Sequence, residues 1–177
     1  GLDADRDVEL VRRLRKEVSE TIKIRVDGNE GYSCVSEAVK VTKAQEEYGI
    51  IFCEQPMMGA RDLARVADRI DSPVMADESA WTMHDIIELN ELDAAQYISC
   101  YVTKPGGLYR AKQQADLAGA LHMSVDIGGS IELGIGNAAN LHLGAALPNA
   151  TSTTKPRPQQ IFLLTLMSTE LMSATSL

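Results

Sequence analysis

Apolar residues recur along the chain in two alternating patterns. Short apolar runs are separated by longer segments in which apolar side chains return every three or four residues, as on one face of a helix. This alternation of strands and helices is typical of a mainly parallel sheet with helical crossovers. The short runs predict five strands, at 22–27, 50–54, 73–77, 95–103 and 123–127. The longer segments predict six helices, at 4–19, 34–48, 60–70, 82–91, 108–121 and 135–147.

Three consecutive predicted strands end in a carboxylate. These residues are Asp27, Glu54 and Asp77, and each step between them holds about one strand, one helix and two loops. Because parallel strands end at the same edge of a sheet, we expect the three carboxylates side by side on one rim. A hard divalent cation such as Mg²⁺ relieves the repulsion in such a group. The alternative is that each residue only caps the loop or helix that follows its strand.

Composition narrows the class of protein. A chain of 177 residues can bury one sizeable core, and its net charge of −8 argues against a nucleic-acid partner, which needs a basic face. No apolar run approaches the roughly 18 residues of a membrane span, and the first residues do not read as a signal peptide. The cysteines are odd in number and scattered, which favours free thiols in a cytoplasmic protein. They are Cys34, Cys53 and Cys100.

The pattern alone leaves two architectures open, a closed barrel and an open doubly wound sheet. In both, ligands bind at the carboxyl ends of the strands, where the three carboxylates are predicted. No Gly-x-Gly-x-x-Gly motif follows the first strand, which weakens the dinucleotide-binding version of the open sheet.

Six short motifs carry a family resemblance through their order and spacing. They are VDGNEGY (26–32), CEQP (53–56), ADES (76–79), KPGG (104–107), GSIELGIG (129–136) and HLGAA (142–146). With them the chain resembles the enolase superfamily, in particular the muconate-lactonizing subgroup of the mandelate racemase/muconate lactonizing enzyme family. The resemblance implies a partial TIM (β/α)8-type barrel of strands three to eight at residues 1–148, without the capping domain and the first two barrel strands. Residues 149–177 are expected to form a tail of uncertain structure.

The resemblance also implies a chemistry. Asp27, Glu54 and Asp77 correspond to the Mg²⁺ ligands of the family, whose members abstract the α-proton of a small carboxylate substrate. Metal charge stabilises the enolate that forms, and a Lys or His serves as base. The implied outcome is isomerisation (a racemase, epimerase or cycloisomerase) or dehydration by a lyase. A cytoplasmic homo-oligomer without a membrane or nucleic-acid partner is expected.

Three residues are the candidates for catalysis: Tyr101, Lys104 and Glu132. Tyr101 stands where many relatives carry a Lys at the end of strand six, and its parity with Ser99 and Thr103 predicts that all three face the barrel interior. A proton-transfer role would need a tyrosine pKa well below the usual value of about 10. The alternative for Tyr101 is a core aromatic. By resemblance, Lys104 matches a second Lys of some relatives, and Glu132 matches a glutamate beside their active site.

Three further residues are candidates for substrate binding: Asn29, Gly106 and Gly107. Asn29 follows Asp27 by two positions and should face the same way, although it could equally serve turn chemistry. The glycine pair predicts a tight turn with exposed amides at a helix start, which could hold an anion; the alternative is a plain loop.

The family's Lys-x-Lys pair, at the end of strand two, would precede residue 1. We therefore expect a fragment or a truncated relative. Two alternatives to an enzyme stay open at this point. One is a catalytically inactive metal-binding fragment, and the other is an open-sheet binding domain with an acidic pocket.

Overall fold

Five parallel strands alternate with six helices in the computed structural model, which describes residue 1 and residues 3–150. The strands are β1 (Ile24–Asp27), β2 (Ile50–Glu54), β3 (Val74–Ala76), β4 (Tyr97–Cys100) and β5 (Ser124–Ile127). The helices are α1 (Ala4–Glu17), α2 (Val35–Glu46), α3 (Ala60–Ala67), α4 (Met83–Glu91), α5 (Leu108–Ala120) and α6 (Gly134–Ala146). Every predicted element is present, so the predicted alternation is confirmed.

The order of the strands decides between the two architectures. The sheet runs β1-β2-β3-β4-β5, and each strand is parallel to its neighbour. A doubly wound sheet would reverse this order at a switch point, whereas consecutive strands lie side by side in a barrel. The sheet is curled into a half-barrel, which confirms the predicted partial barrel. The open-sheet alternative is therefore wrong.

The two faces of the curled sheet have different roles. Along β5, Val125 and Ile127 pack into the apolar core beneath the helices, so Asp126 between them points to the concave side. The same core takes side chains from the inner faces of the helices, and each fully buried Leu or Ile stabilises the fold by about 1.5–3 kcal/mol. The helix residues that are fully buried there include Leu63, Val66, Ile86, Leu89, Ala111 and Ala115.

A bulge in β2 brings the first two carboxylates level. Ile24 pairs with Ile50, but Val26 pairs with Cys53, so β2 holds one more residue than β1 over this stretch. Asp27 therefore lies opposite Glu54 in the register. Without the extra residue, the carboxylates would be offset by one position and would point to opposite faces of the sheet.

Beyond β5 the chain returns to the sheet. Val125 forms a parallel bridge with Ala150, and its N–H donates to the carbonyl of Asn149 at 3.2 Å. The remaining predictions for the tail fall on residues 151–177 and lie outside the described residues.

Two predictions from composition concern the helices and the thiols. None of the helices between residues 3 and 150 is long and apolar enough to cross a membrane. Cys34, Cys53 and Cys100 are all free, as predicted.

Candidate metal and active site

Glu54 is the central carboxylate of the rim. It ends β2 between Asp27, the last residue of β1, and Asp77, which follows β3 directly. Its side chain is almost inaccessible, with Glu54 only 8% exposed. Burial and then the charges of Asp27 and Asp77 raise the pKa of Glu54 to about 8. The three strand ends thus bring Asp27 and Asp77 close enough to Glu54 for their charges to disfavour its ionisation.

Asp27 is held by a tight turn. Its Oδ1 accepts a hydrogen bond from the backbone N–H of Asn29 at 2.9 Å. The surrounding protein removes part of the solvent from the carboxylate and raises the pKa of Asp27; the Asn29 N–H opposes this, and the charge of Asp77 adds to it. Asn29 has φ of 45°, and its side chain is exposed. The turn alternative for Asn29 thus has direct support, and its role in substrate binding stays a prediction.

The Gln55 side chain organises the rim, a role that the sequence did not reveal. Gln55 is fully buried, and its amide makes four hydrogen bonds. Its Nε2 donates to the carbonyl of Met57 and to the hydroxyl of Ser79, both at 2.7 Å. Its Oε1 accepts from the backbone N–H groups of Asp77 at 2.8 Å and of Ser79 at 3.2 Å. Gln55 therefore fixes the segment that carries Asp77.

Lys104 lies against Asp77 from the loop after β4. Its Nζ is 2.6 Å from Asp77 Oδ1, and it donates to the carbonyls of Asp77 at 2.8 Å and of Ser99 at 2.7 Å. The side chain is only 1% exposed. An ammonium group has three protons to donate, and three acceptors surround this one. The geometry is that of a charged lysine held in place beside a rim carboxylate.

Tyr101 is buried at the mouth of the half-barrel. A Cβ added to Gly128 would lie 2.9 Å from the Tyr101 ring and would overlap with Ser99 Oγ, so both side chains face Gly128 and share one side, as their parity predicted. Burial, the charges of Asp77 and Glu78, and a hydrogen bond to Asp77 raise the pKa of Tyr101 above its ordinary value. This is opposite to the lowered pKa that a tyrosine base needs, and it favours a hydroxyl that keeps its proton.

The prediction from strand parity that Thr103 faces the barrel interior is wrong. Strand β4 ends at Cys100 instead of reaching residue 103, because the chain enters a turn in which the N–H of Gly107 donates to the carbonyl of Val102 at 2.7 Å. Thr103 is exposed in this turn, and its hydroxyl donates to Glu132 Oε1 at 3.1 Å.

Glu132 joins two loops of the rim. Its Oε1 accepts from Thr103, and its Oε2 accepts from the N–H of Ser130 at 2.7 Å. Its charge is one of those that raise the pKa of Tyr101, so the two predicted catalytic residues lie near each other. The fold thus gathers Tyr101, Lys104 and Glu132 on the same rim as the carboxylates.

Gly106 and Gly107 form the predicted tight turn. Their φ angles of 86° and 131° lie in the region that favours glycine, and Gly107 caps the start of α5. The Gly107 N–H is already donated to the Val102 carbonyl. The expectation of an exposed amide at this position is therefore wrong for Gly107.

The rim residues fit a divalent cation by donor type and by their order at neighbouring strand ends. They offer three carboxylates, the donors that Mg²⁺ prefers, with the buried Glu54 between Asp27 and Asp77. Nevertheless, among residues 1 and 3–150 no three His, Cys, Asp or Glu side chains are already gathered into a metal-holding group. The cation would thus have to draw the side chains together.

Comparisons with known proteins identify the family of the chain. A family model described as "Enolase C-terminal domain-like" matches residues 1–171, beyond the end of the motif resemblance. The L-Ala-D/L-Glu epimerase of Bacillus subtilis (strain 168) is 31% identical over 153 residues, covering 84% of this chain and 42% of the relative. The N-succinylamino acid racemase of Amycolatopsis sp is 33% identical over 150 residues, covering 82% and 39%.

A solved structure shows the same relationship in three dimensions. The dipeptide epimerase of Enterococcus faecalis V583, complexed with Mg and the dipeptide L-Leu-L-Tyr, superposes with a TM-score of 0.79 at 31% identity. The alignment covers 85% of this chain and 43% of that one. The chain therefore spans about two fifths of the length of the relatives that it matches.

Proposed function

Because the chain belongs to the enolase C-terminal domain-like family, we propose that it supplies the metal-binding rim of an isomerase that removes the α-proton of a small carboxylate substrate. Racemases, epimerases and cycloisomerases among the relatives support the isomerase class. The observation that carries the proposal is the buried Glu54, whose pKa the neighbouring Asp27 and Asp77 raise. A buried carboxylate with two further carboxylates at neighbouring strand ends calls for a cation to neutralise the charge.

Asp27, Glu54 and Asp77 would hold Mg²⁺. When bound, the ion supplies positive charge for the enolate formed by loss of the α-proton. Glu54 has to give up its proton to become a ligand, because a ligating carboxylate is deprotonated. Gln55 keeps the segment of Asp77 in place, and Lys104 balances part of the negative charge of the rim.

Tyr101 and Lys104 serve as positioning or proton-holding groups in this proposal. The raised pKa of Tyr101 keeps its hydroxyl protonated, which is the form that can donate a hydrogen bond to the substrate or act as an acid. Three acceptors hold the proton-bearing Nζ of Lys104, which leaves it poorly placed to act as base. The family resemblance assigns the base to a Lys of barrel strand two, and Glu132 would act on Tyr101 through its charge. By analogy with the relatives, a dipeptide or an N-acylated amino acid is the substrate class.

Calorimetric titration with Mg²⁺ tests the metal site on this chain. We expect saturable binding to one site and a loss of more than about tenfold in affinity for Glu54→Gln, which removes a ligand but keeps the shape. Asp62→Asn is the matched control, because Asp62 is an acidic residue on α3 that pairs with Arg65. Equal affinities for the wild type, Glu54→Gln and the control would refute the metal site.

Exchange of the substrate α-proton in D₂O tests catalysis. In a protein that joins this chain to the remaining strands of a complete barrel, Tyr101→Phe should slow exchange by roughly 10²–10⁴-fold, as is typical of a lost proton-transfer group. Mg²⁺ affinity should stay nearly unchanged. Unchanged exchange would make Tyr101 a packing residue. Mg²⁺ binding without exchange in the complete barrel would favour the inactive metal-binding alternative.

A further inference from the structure

An ion pair links the two outermost strands of the described sheet. Arg25 lies on β1 and Asp126 on β5, and Arg25 Nη1 donates to Asp126 Oδ2. The Asp126 side chain is 1% exposed, and the Arg25 side chain is 38% exposed. The two residues are 101 positions apart in the chain. The proposed function assigns no role to either of them.

This ion pair runs across the concave side of the sheet. In a flat sheet, four strand spacings of roughly 4.8 Å would separate β1 from β5 by about 19 Å, far beyond the reach of an arginine and an aspartate. The contact therefore exists only because the sheet curls and the two strands face each other across the barrel interior. An eight-stranded barrel is just wide enough for side chains from opposite strands to meet.

The pair lies one layer below the carboxylates. Arg25 precedes Asp27 by two residues, and Phe52 precedes Glu54 by two, so each points to the same side as the carboxylate above it. The guanidinium of Arg25 lies 5.8 Å from the centroid of the Phe52 ring, a cation–π distance. The Phe52 ring packs at 5.7 Å from the ring of Tyr97 on β4. Arg25 is thus held by a neighbouring ring as well as by Asp126.

We propose that Arg25 and Asp126 form a positioning pair, which fixes the separation of β1 from β5 and thereby holds Asp27 beside Glu54 for the cation. This inference rests on the proposed function for its meaning, but the tie between the strands can be measured by itself. Neither residue touches the reacting atoms. Their effect passes through the backbone of β1, whose last residue is Asp27.

Whether each substitution raises or lowers the Mg²⁺ affinity distinguishes a positioning role from a purely electrostatic one. Arg25 and Asp126 act on Glu54 with opposite charges. If only their charges mattered, Arg25→Met would strengthen Mg²⁺ binding, Asp126→Asn would weaken it, and the double variant would return close to the wild type. If the pair positions the rim, both single variants weaken binding, and the double variant is no weaker than the worse single one, since both remove the same contact.

The experiment titrates the 177-residue chain and its variants with Mg²⁺ by calorimetry. We expect Arg25→Met and Asp126→Asn each to lower the affinity by roughly 10–100-fold, as is typical of residues that orient metal ligands. Arg25→Lys, which keeps the charge and much of the length, should recover most of the loss. Arg65→Met on α3 is the matched control, because it removes an arginine from an exposed ion pair with Asp62.

Amide hydrogen exchange on the metal-free chain provides the second readout. In Arg25→Met and Asp126→Asn we expect faster exchange in β1 and β5, with α3 unchanged. Unchanged exchange in β1 and β5, or opposite signs in the two Mg²⁺ affinities, would overturn the inference. If the wild type fails to bind Mg²⁺ while both variants loosen β1 and β5, the proposed function fails and the tie between the strands stands.

Discussion

Gln55 uses the whole hydrogen-bonding capacity of its side chain within the rim. Its two N–H groups and both acceptor sites of its oxygen are occupied. Gln55→Leu keeps a similar volume but leaves the partly buried N–H of Asp77 without this acceptor. Each buried group that loses its partner costs about 1–3 kcal/mol, so we expect a clear loss in the free energy of unfolding, measured with urea, and weaker Mg²⁺ binding.

Gln96→Leu is the matched control for Gln55. Gln96 is exposed, and its side chain makes one hydrogen bond to β3, the strand that precedes Asp77. It accepts from the N–H of Val74 at 2.9 Å. Its replacement should cost less stability and should leave Mg²⁺ affinity unchanged, because Val74 lies at the opposite end of β3 from Asp77. Similar Mg²⁺ affinity losses in both variants would show that Gln55 has no special role at the rim.

Glu54 makes the stability of the metal-free chain depend on pH. Burial and the neighbouring carboxylates raise its pKa from about 4.5 to about 8. Between these values the folded state holds a proton that the unfolded state has lost, so the free energy of unfolding should fall as the pH rises from 5 to 8. Asp27, whose pKa is also raised, contributes in the same direction.

Urea unfolding from pH 5 to 9 in a chelator measures this dependence. Glu54→Gln should flatten the fall, and Mg²⁺ should restore stability at pH 8, since the ion binds the deprotonated carboxylate. Parallel pH profiles for the wild type and Glu54→Gln would show that Glu54 is not the group responsible.

The candidate residues differ in how far the sequence could predict them. Strand ends are marked locally, so Asp27, Glu54 and Asp77 could be recognised from the runs that precede them. The role of Gln55 depends on bonds to two other segments, and its only signal is an amide directly after Glu54. The contacts of Lys104 could not be predicted, because its acceptors come from Asp77, which follows β3, and from Ser99 on β4.

At the scale of elements, hydrophobic periodicity predicted the number and type of helices and strands, because each packs one apolar face on a shared core. The prediction for strand β4 was too long at both ends, since the strand spans Tyr97–Cys100 rather than 95–103. The apolar run continues beyond Cys100, but the turn leading to Gly107 stops the pairing. Strand ends thus depended on turn geometry that an apolar run does not report.

Strand β1 has an edge that invites association. Within the described part of the chain it pairs on one side only, with β2. Unpaired edges bind other strands, so we expect the chain by itself to self-associate in a concentration-dependent way. Light scattering coupled to size-exclusion chromatography would show masses above the 19.2 kDa of one chain. A clean monomer at every concentration would contradict this expectation.

An exposed apolar loop is a second possible cause of such association. Ile131 and Leu133 are 95% and 86% exposed in the loop before α6. Replacing both by Ser distinguishes the two sources, because it leaves the β1 edge untouched. Association that persists in this variant supports the edge; association that disappears assigns it to the loop.

At the scale of the whole molecule, each strand lies beside the one that precedes it in the chain. Most sheet contacts therefore join neighbouring βα units, whereas the contact of Arg25 with Asp126 closes a loop of 101 residues. Closing a long loop costs entropy that later contacts must offset, so folding should proceed unit by unit from one neighbour to the next.

The ion pair should consequently form after the main barrier to folding. Arg25→Met would then speed unfolding and leave the folding rate almost unchanged, which corresponds to a φ-value near zero. Leu63→Ala in the core beneath α3 should instead slow folding, provided that α3 has packed at the barrier. In stopped-flow kinetics, an equal effect of Arg25→Met on both rates would place closure of the half-barrel early. With late closure, the rim becomes complete only in the last step of folding.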